Sequence, residues 1–385
     1  MNFAWTPEQL ELRESIVGFA REQLNDGLEA REASGTFDRQ LWRSCAEFGI
    51  LGLPVPEQFG GTDQDVMTTT LAMEALGYGC RDQGLLFSIH AHMWAIVMPI
   101  LRFGSPETQS RYLPGLVDGT LIGAHAMTEP GSGSDAFGLT TRAIRRDDGY
   151  LLNGSKTFVT NAPEAELFLA FATVNPARGI WGITAFLIDR ESPGLTVGNK
   201  LQKMGLTTSP MAEVFLEDCF VSESHRLGKE GQGSAIFNHS MAWERSCILG
   251  STVGAMQRQL EAVIRYARER RQFGRPIGDF QLVAAKIAEM KVRLETSRLL
   301  LYRAAWAQAH EDGNALEGAI AKLFISEAAV QSALDAIQIH GGYGYMKEYE
   351  VERDLRDSIG ARLYSGTSEI QRLVIARHLG LAPDR

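Results

Sequence analysis

The sequence predicts an α+β fold that is mainly helical, with one β-block set between two helical regions. Three observations carry this. Residues 1–120 place apolar residues at helical spacing. Residues 121–231 hold short β-prone runs separated by Gly, Pro, Asn and Asp. Residues 232–385 return to long helical stretches. A chain of 385 residues that is 44% hydrophobic and 22% charged can bury a large core and form more than one domain.

In the first region, Thr6 is placed to cap a helix, with Pro7 at its first position and Gln9 reaching back in a capping box. Leu10, Ile16, Phe19 and Ala20 then recur near helical spacing. The uncharged run Gly84 to Leu101 reaches the lower limit for a membrane span. His90, His92 and Pro99 interrupt it, which favours a buried core helix and no membrane span. In the second region the runs YLLNGSKTFVTNA, LFLAFATV, ITAFLID and AEVFLEDCFV read as strands of a compact β-domain. In the third, the stretch from Ser234 to Arg270 contains no proline and reads as one long helix. Gln281 to Glu311 and Leu316 to His340 supply two more.

A net charge of −9 argues against sequence-independent nucleic-acid binding, which needs a basic face. Arg268, Arg270, Arg271 and Arg275 cluster at a helix end, as a solvated terminus or an anion site. The four cysteines have neither CxxC spacing nor a disulfide framework, so no metal site is expected and a reducing cytoplasm fits. The first fifteen residues carry no apolar signal region, in keeping with a cytoplasmic protein.

Several short motifs have chemical content. GSGSDA (131–136) matches a loose dinucleotide pattern, but no clear strand precedes it and no helix starts there, so it is not read as a Rossmann fingerprint. Its small residues would still let a ligand approach the backbone. IHGGYGY (339–345) closes a helix with paired glycines, a C-cap or a set of N–H groups for pyrophosphate. RERRQFGRPIGDFQ (268–281) is a helix–helix corner or a second anion site.

Taken together and in order, MTEPGSGSDA, KTFVTNA, KMGLTTSPMAEV, YARERRQFGRPIGDFQ, IHGGYGY and YSGTSEIQR resemble the acyl-CoA dehydrogenase family of flavoproteins, from Glu8 to the C-terminus. The resemblance implies an N-terminal helical domain, a central β-barrel-like domain and a C-terminal four-helix bundle. It also implies a homotetramer holding FAD across subunit boundaries, with an electron-transferring flavoprotein or oxygen as acceptor. Position by position, it sets Met127, Thr128 and Ser134 beside flavin or thioester. Phe158 and Thr160 would face the flavin ring. Arg270, Phe273 and Gln281 would hold a neighbouring subunit's FAD, with Gln338, Gly341 and Gly342 at its diphosphate part. Thr367 and Glu369 would touch the flavin of their own subunit.

Such enzymes dehydrogenate an acyl thioester at Cα–Cβ and need a carboxylate base. In most of the family that base follows the loop tyrosine, where this chain has Ser365. A serine there can contribute only its backbone N–H to the thioester carbonyl. The segment MAWERSC (241–247) resembles branches that carry the base on the long helix, which puts it at Glu244. Glu244 is otherwise a surface acid or the ion-pair partner of Arg245. Its apolar neighbours point instead to a desolvated carboxyl with a raised pKa. Ser134, Trp243 and Arg245 are candidate substrate contacts, and Phe87, His90, Trp94 and Trp243 are either pocket or core. The substrate is expected to be an acyl-CoA. The alternatives are an acyl or aminoacyl, prolyl-like thioester on a carrier protein in secondary metabolism, since the WER segment also resembles prolyl-carrier-protein dehydrogenases, and a flavin oxidase or monooxygenase of the same fold.

Overall fold

In the computed structural model, which describes residues 4–310 and 315–381, the order α, β, α is observed. The capping box is present: the Thr6 hydroxyl accepts from the Gln9 N–H and the Gln9 side chain accepts from the Thr6 N–H. It opens α1 (Pro7–Gln23), followed by α2 (Leu28–Ser34), α3 (Arg39–Glu47) and α4 (Val66–Gly79). Next come α5 (Gln83–His92), a π-helical turn at Met93–Val97 and α6 (Met98–Phe103). These last three form one apolar run, Gln83–Phe103, and 83% of its most apolar window is buried inside the protein. That is the buried core helix expected from its two histidines and proline. α7 (Pro106–Val117) closes the region.

The middle region is one eight-stranded sheet. Its strands are β1 (Gly123–Ala126), β2 (Arg142–Arg146), β3 (Gly149–Thr160), β4 (Leu167–Thr173), β5 (Ile183–Asp189), β6 (Leu195–Val197), β7 (Met211–Ser222) and β8 (Arg226–Leu227). Their order is β6-β7-β3-β2-β4-β5-β8, with β1 parallel to β4. All four runs read as strands lie in β3, β4, β5 and β7. The long pairing of β3 with β7 breaks register between Lys156 and Val159. Such bulges re-aim side chains, and this one turns Phe158 outward.

The 37-residue α8 (Gly233–Glu269) spans about 55 Å. A short hairpin, β9 (Arg271–Gln272) and β10 (Arg275–Pro276), leads to α9 (Gln281–His310), α10 (Ala315–His340), α11 (Val351–Gly360) and α12 (Ser368–His378). The expected end of α9 at Glu311 falls outside the described residues.

The two helical regions share one core. Trp42, Leu76 and Trp94 belong to the same buried cluster as Trp243, Leu249, Met290 and Ile325. Glycines make this possible where α4 crosses α8. A Cβ on Gly254 would sit 2.1 Å from the Glu74 carbonyl oxygen, and one on Gly77 would sit 2.1 Å from that of Ser251. The crossing is backbone against backbone, so added carbon must spread the helices. Gly254→Ala is expected to cost about 1–3 kcal/mol through overpacking, read as a lowered apparent Tm in thermal unfolding of the purified protein. An unchanged Tm would show that the crossing yields easily.

Candidate active site

Glu244 lies one third of the way along α8, in a turn whose other members are largely apolar. Trp243 stacks on Trp94 with ring centroids 5.8 Å apart and 9° between planes. Met241, Cys247 and Ile248 are buried. Glu244 itself is 8% exposed, so it is not a surface acid. Burial raises its pKa to about 7, against the opposing pull of the Ser365 hydroxyl, Arg245 and Lys322. Arg245 is no simple ion-pair partner: its Nε donates to the Ser365 carbonyl, 3.4 Å away.

The turn between α11 and α12 supplies the second half of the site. Ser365 and Gly366 both adopt positive φ, +54° and +88°, unusual for the serine. The Ser365 hydroxyl donates to Glu244 Oε2. The side chain of Ser365 thus meets the carboxyl expected to serve as base, beside the backbone N–H that the sequence singled out. The backbone carbonyls of Ser365 and Gly366 are turned inward. Gln371 Nε2 donates to both, at 3.1 and 2.8 Å, and Lys322 Nζ donates to the Gly366 carbonyl at 2.6 Å. Among the described residues the Ser365 N–H has no acceptor, so it is free to donate to a ligand carbonyl. Thr367 caps α12 through Ile370 N–H, and Glu369 is exposed in its first turn.

Beside this turn opens a cavity of about 50 Å³. Its near wall is Phe87, His90, Ile248, Thr252 and Tyr364, with Phe87 and Tyr364 in ring contact at 4.7 Å. His90 accepts from the Trp94 indole N–H and pairs with the Ser251 hydroxyl, both at 2.9 Å. Burial lowers its pKa to about 3, so it is a neutral wall group. Of the four aromatic candidates, Phe87 and His90 therefore face the cavity, whereas Trp94 and Trp243 are core. As a substrate contact, Trp243 does not reach this cavity. The far wall is polar: Gln259, Asp354 and Asp357, with Gln259 Nε2 donating to Asp354 at 3.1 Å. Burial raises the Asp357 pKa to about 7. Eleven residues of α8 separate Ile248 from Gln259, so this end lies about 16 Å along the helix from the near wall. Sequence reasoning missed it. The only signal was the pair of acids three apart in DLRD, which one face of α11 presents to the cavity.

The loop after β1 is fixed by a buried ion pair. Lys156 Nζ lies 2.8 Å from Glu129 Oε1 and also donates to the Met127 carbonyl at 3.2 Å. Glu129 further accepts from the Thr140 and Thr141 N–H groups at 2.6 and 2.9 Å. Burial opposes its ionisation, yet Lys156 and these donors hold its pKa down at about 2. The Thr157 N–H donates to the Thr128 carbonyl at 2.9 Å. Met127 and Thr128 are thereby fastened to β3, the strand that bears Phe158 and Thr160. Phe158 sits in the bulge at φ +54° and is 63% exposed. A strained, bared aromatic is a surface made to be covered. Ser134 is exposed on the same loop, where Gly131 and Gly133 leave open space.

The remaining candidates form a separate outward face. Arg270 lies over the Tyr343 ring at 5.2 Å, joining the β9–β10 hairpin to the glycine turn after α10. Phe273 is 93% exposed, and Gln338, Gly341 and Gly342 are exposed beside Tyr343. Gln281 begins α9. Guanidinium, glycine N–H groups and bared rings suit a dinucleotide with an anionic centre and flat ends. Among the described residues no cluster of His, Cys, Asp and Glu could hold a metal ion.

This geometry can be set against known proteins. The models for the acyl-CoA dehydrogenase N-terminal, middle and C-terminal domains match residues 6–120, 124–219 and 231–380. An L-prolyl-[peptidyl-carrier protein] dehydrogenase of Pseudomonas fluorescens is 45% identical over 99% of this chain and 100% of that protein. The mitochondrial isovaleryl-CoA dehydrogenase of Oryza sativa is 37% identical over 96% of this chain and 91% of its own. Among solved structures, the prolyl acyl carrier protein oxidase AnaB superposes with a TM-score of 0.96 at 49% identity, covering 98% and 100% of the two chains. PigA with FAD and proline gives 0.97 at 44%, covering 99% and 100%.

With a pKa near 7, Glu244 must lose its proton before it can act as a base. The rate of single-turnover flavin reduction is therefore expected to rise with pH through about 7 and then level off. Ser365→Ala removes a donor that favours the carboxylate, so it should move that midpoint upward. A Ser365→Ala profile that overlays the wild type would show that the hydroxyl does not act on Glu244.

Proposed function

The chain belongs to the acyl-CoA dehydrogenase family of flavoproteins, and from that premise we propose that it dehydrogenates a carrier-protein-tethered aminoacyl thioester, prolyl first among them. It is an oxidoreductase acting on CH–CH bonds, and its cofactor is FAD. The sequence alone put acyl-CoA ahead of a carrier-linked thioester. The reverse order is supported by the 45–49% identity to proteins named for prolyl carrier substrates, against 37% for the isovaleryl-CoA enzyme.

One observation carries the mechanism: the Ser365 hydroxyl meets the Glu244 carboxyl, and Tyr364, the residue before Ser365, lines the cavity. FAD, when bound, supplies a two-electron hydride acceptor. Everything else falls to the chain. Glu244 takes the α-proton while the β-hydrogen leaves with its electron pair, and a Cα=Cβ bond forms. Ser365 Oγ aims the carboxylate. The unpaired Ser365 N–H is placed to donate to the thioester oxygen as negative charge develops there. Phe87, Ile248 and Tyr364 exclude water, which raises the basicity of the carboxylate. Met127, Thr128 and Ser134 would lie beside flavin or thioester, Phe158 and Thr160 would face the flavin ring, and Thr367 and Glu369 would touch the flavin of their own subunit. Arg270, Phe273, Gln281, Gln338, Gly341 and Gly342 would hold the FAD of a neighbour in a homotetramer. An electron-transferring flavoprotein or oxygen then regenerates the enzyme. The resemblance to a protein described as an oxidase favours oxygen as one of the two, and stopped-flow reoxidation separates them.

Two outcomes are expected. Glu244→Gln should retain FAD and fold, yet reduce flavin about 10² to 10⁴ times more slowly, roughly 3–5 kcal/mol of barrier. A variant as fast as wild type would place the base elsewhere. In a thioester panel followed by flavin bleaching, prolyl-carrier protein should react faster than prolyl-CoA or straight-chain acyl-CoA. Fastest turnover of an acyl-CoA would return the assignment to the first expectation. Separately, Arg270→Ala should lower the FAD retained per chain on gel filtration without loss of the folded state, and unchanged retention would remove Arg270 from the cofactor site.

A further inference from the structure

Lys322 is one of the largest fully buried side chains in the protein, with no exposed surface. It stands on α10 among alanines, Ala319, Ala321, Ala328 and Ala329, which are buried as well. A buried ammonium normally gathers several acceptors or a close carboxylate. Lys322 has neither. Its one hydrogen bond among the described residues is to the Gly366 carbonyl at 2.6 Å, and the Tyr364 ring centroid is 6.0 Å away. It does not line the cavity. Burial and Arg245 push its pKa down to about 7, so it is a cation below neutral pH and acts there through its neighbours.

Those neighbours are the parts of the active-site turn. Two carbonyls, Ser365 and Gly366, receive three buried donors: Arg245 Nε, Gln371 Nε2 and Lys322 Nζ. Because a trans peptide points its C=O and N–H in opposite directions, pulling these carbonyls inward turns the N–H groups of Gly366 and Thr367 away from the buried donors. It also steadies Ser365 in a backbone conformation that serine rarely adopts. Two of the three donors carry charge, and both face the centre from different elements.

We propose that Lys322 is a positioning residue for the Glu244 centre: it anchors the Ser365–Gly366 turn through the Gly366 carbonyl and, together with Arg245, supplies the positive field that favours the Glu244 carboxylate. The inference rests on Glu244 being the base. The charges around Glu244 can be enumerated. Arg245 lies on its own helix, and Lys322 and Glu327 lie on α10. Glu369 and Arg372 lie on α12, with the Ser365 hydroxyl and Tyr364 phenol on the turn. Glu327 is already engaged, accepting from Ser368 Oγ at 2.7 Å and pairing with Arg362 at 3.1 Å. Glu369 and Arg372 pair with one another at 3.8 Å near the surface. The net field from buried groups is thus that of Arg245 and Lys322. Coulombic attraction to both lowers the Glu244 pKa, in opposition to its burial. Burial and Arg245 in turn lower the pKa of Lys322 to about 7, while Glu327, Glu369 and Glu244 raise it, so its charge acts on the acid limb of the profile, below about pH 7. The carboxylate and the ammonium therefore favour one another's charged forms.

The test is the pH profile of single-turnover flavin reduction in FAD-loaded enzyme with prolyl-carrier protein, for wild type, Lys322→Met, Lys322→Gln and Glu244→Gln. Methionine keeps the length without charge or donor. Glutamine keeps a donor for the Gly366 carbonyl but no charge, and carries the same test where the methionine variant does not fold. Loss of the cation should shift the midpoint upward by about one unit, a tenfold slower reaction below the midpoint. The rate should recover toward wild type at alkaline pH, and the substrate dissociation constant should not change. An unmoved midpoint in the folded variant, with or without a lower plateau, overturns the inference and leaves Lys322 a structural residue. If Glu244→Gln keeps the wild-type profile, the base assignment fails and this inference falls with it. If Glu244→Gln is slow and the Lys322 variants are unshifted, only this inference fails.

Discussion

Desolvation of one carboxyl organises this active site. Glu244 is held in a turn of α8 whose other members pack into the core, and the cost of ionising it there is offset by a small set of donors and cations. Ser365, Arg245 and Lys322 come from three different elements, and each has a second duty in fixing the turn after α11. The same contacts that temper the proton affinity of Glu244 also fix the backbone of the Ser365–Gly366 turn. Loosening one therefore disturbs both functions, which is why a small residue such as Ser365 carries more than its size suggests.

The β-domain solves a related problem by other means. Its buried Lys156–Glu129 pair breaks no hydrogen-bonding rule, because every carboxylate oxygen has partners from Thr140, Thr141 or Lys156. Breaking such a pair from one side is far more disruptive than replacing it whole. It fastens the loop bearing Met127 and Thr128 to the strand bearing Phe158. The bulge that bares Phe158 sits directly after that lysine, so the anchor and the exposed aromatic are built from adjacent residues.

What the sequence made legible follows from range. The Thr6 cap, the strands of the middle region and the long helices rest on contacts a few residues apart, and local spacing announced them. Glu244 was legible because its neighbours on one helix are apolar and its segment resembles a known branch. The hydroxyl contact from Ser365 joins positions 121 apart, and no local pattern encodes it. The bulge at Phe158 depends on the partner strand β7. The polar far wall depends on α8 and α11 coming together, so local spacing alone does not single out Asp354 and Asp357. Placing Trp243 against Trp94 likewise required knowing that the first and last regions pack into a single core.

That shared core has a consequence for how the chain is made. The α4–α8 crossing joins Gly77 to Ser251, positions separated by more than 170 residues. Emerging from the ribosome, the first helical region has no partner for the face of α4 that α8 will cover until the entire β-domain has been synthesised. Contacts of such sequence separation are slow to form and leave apolar surface open in the meantime. The β-domain, with its own closed cluster around Phe168, Phe186 and Val214, can fold during that interval. It then brings the two halves of the helical core within reach of one another, so the insert acts as a spacer in time as well as in space.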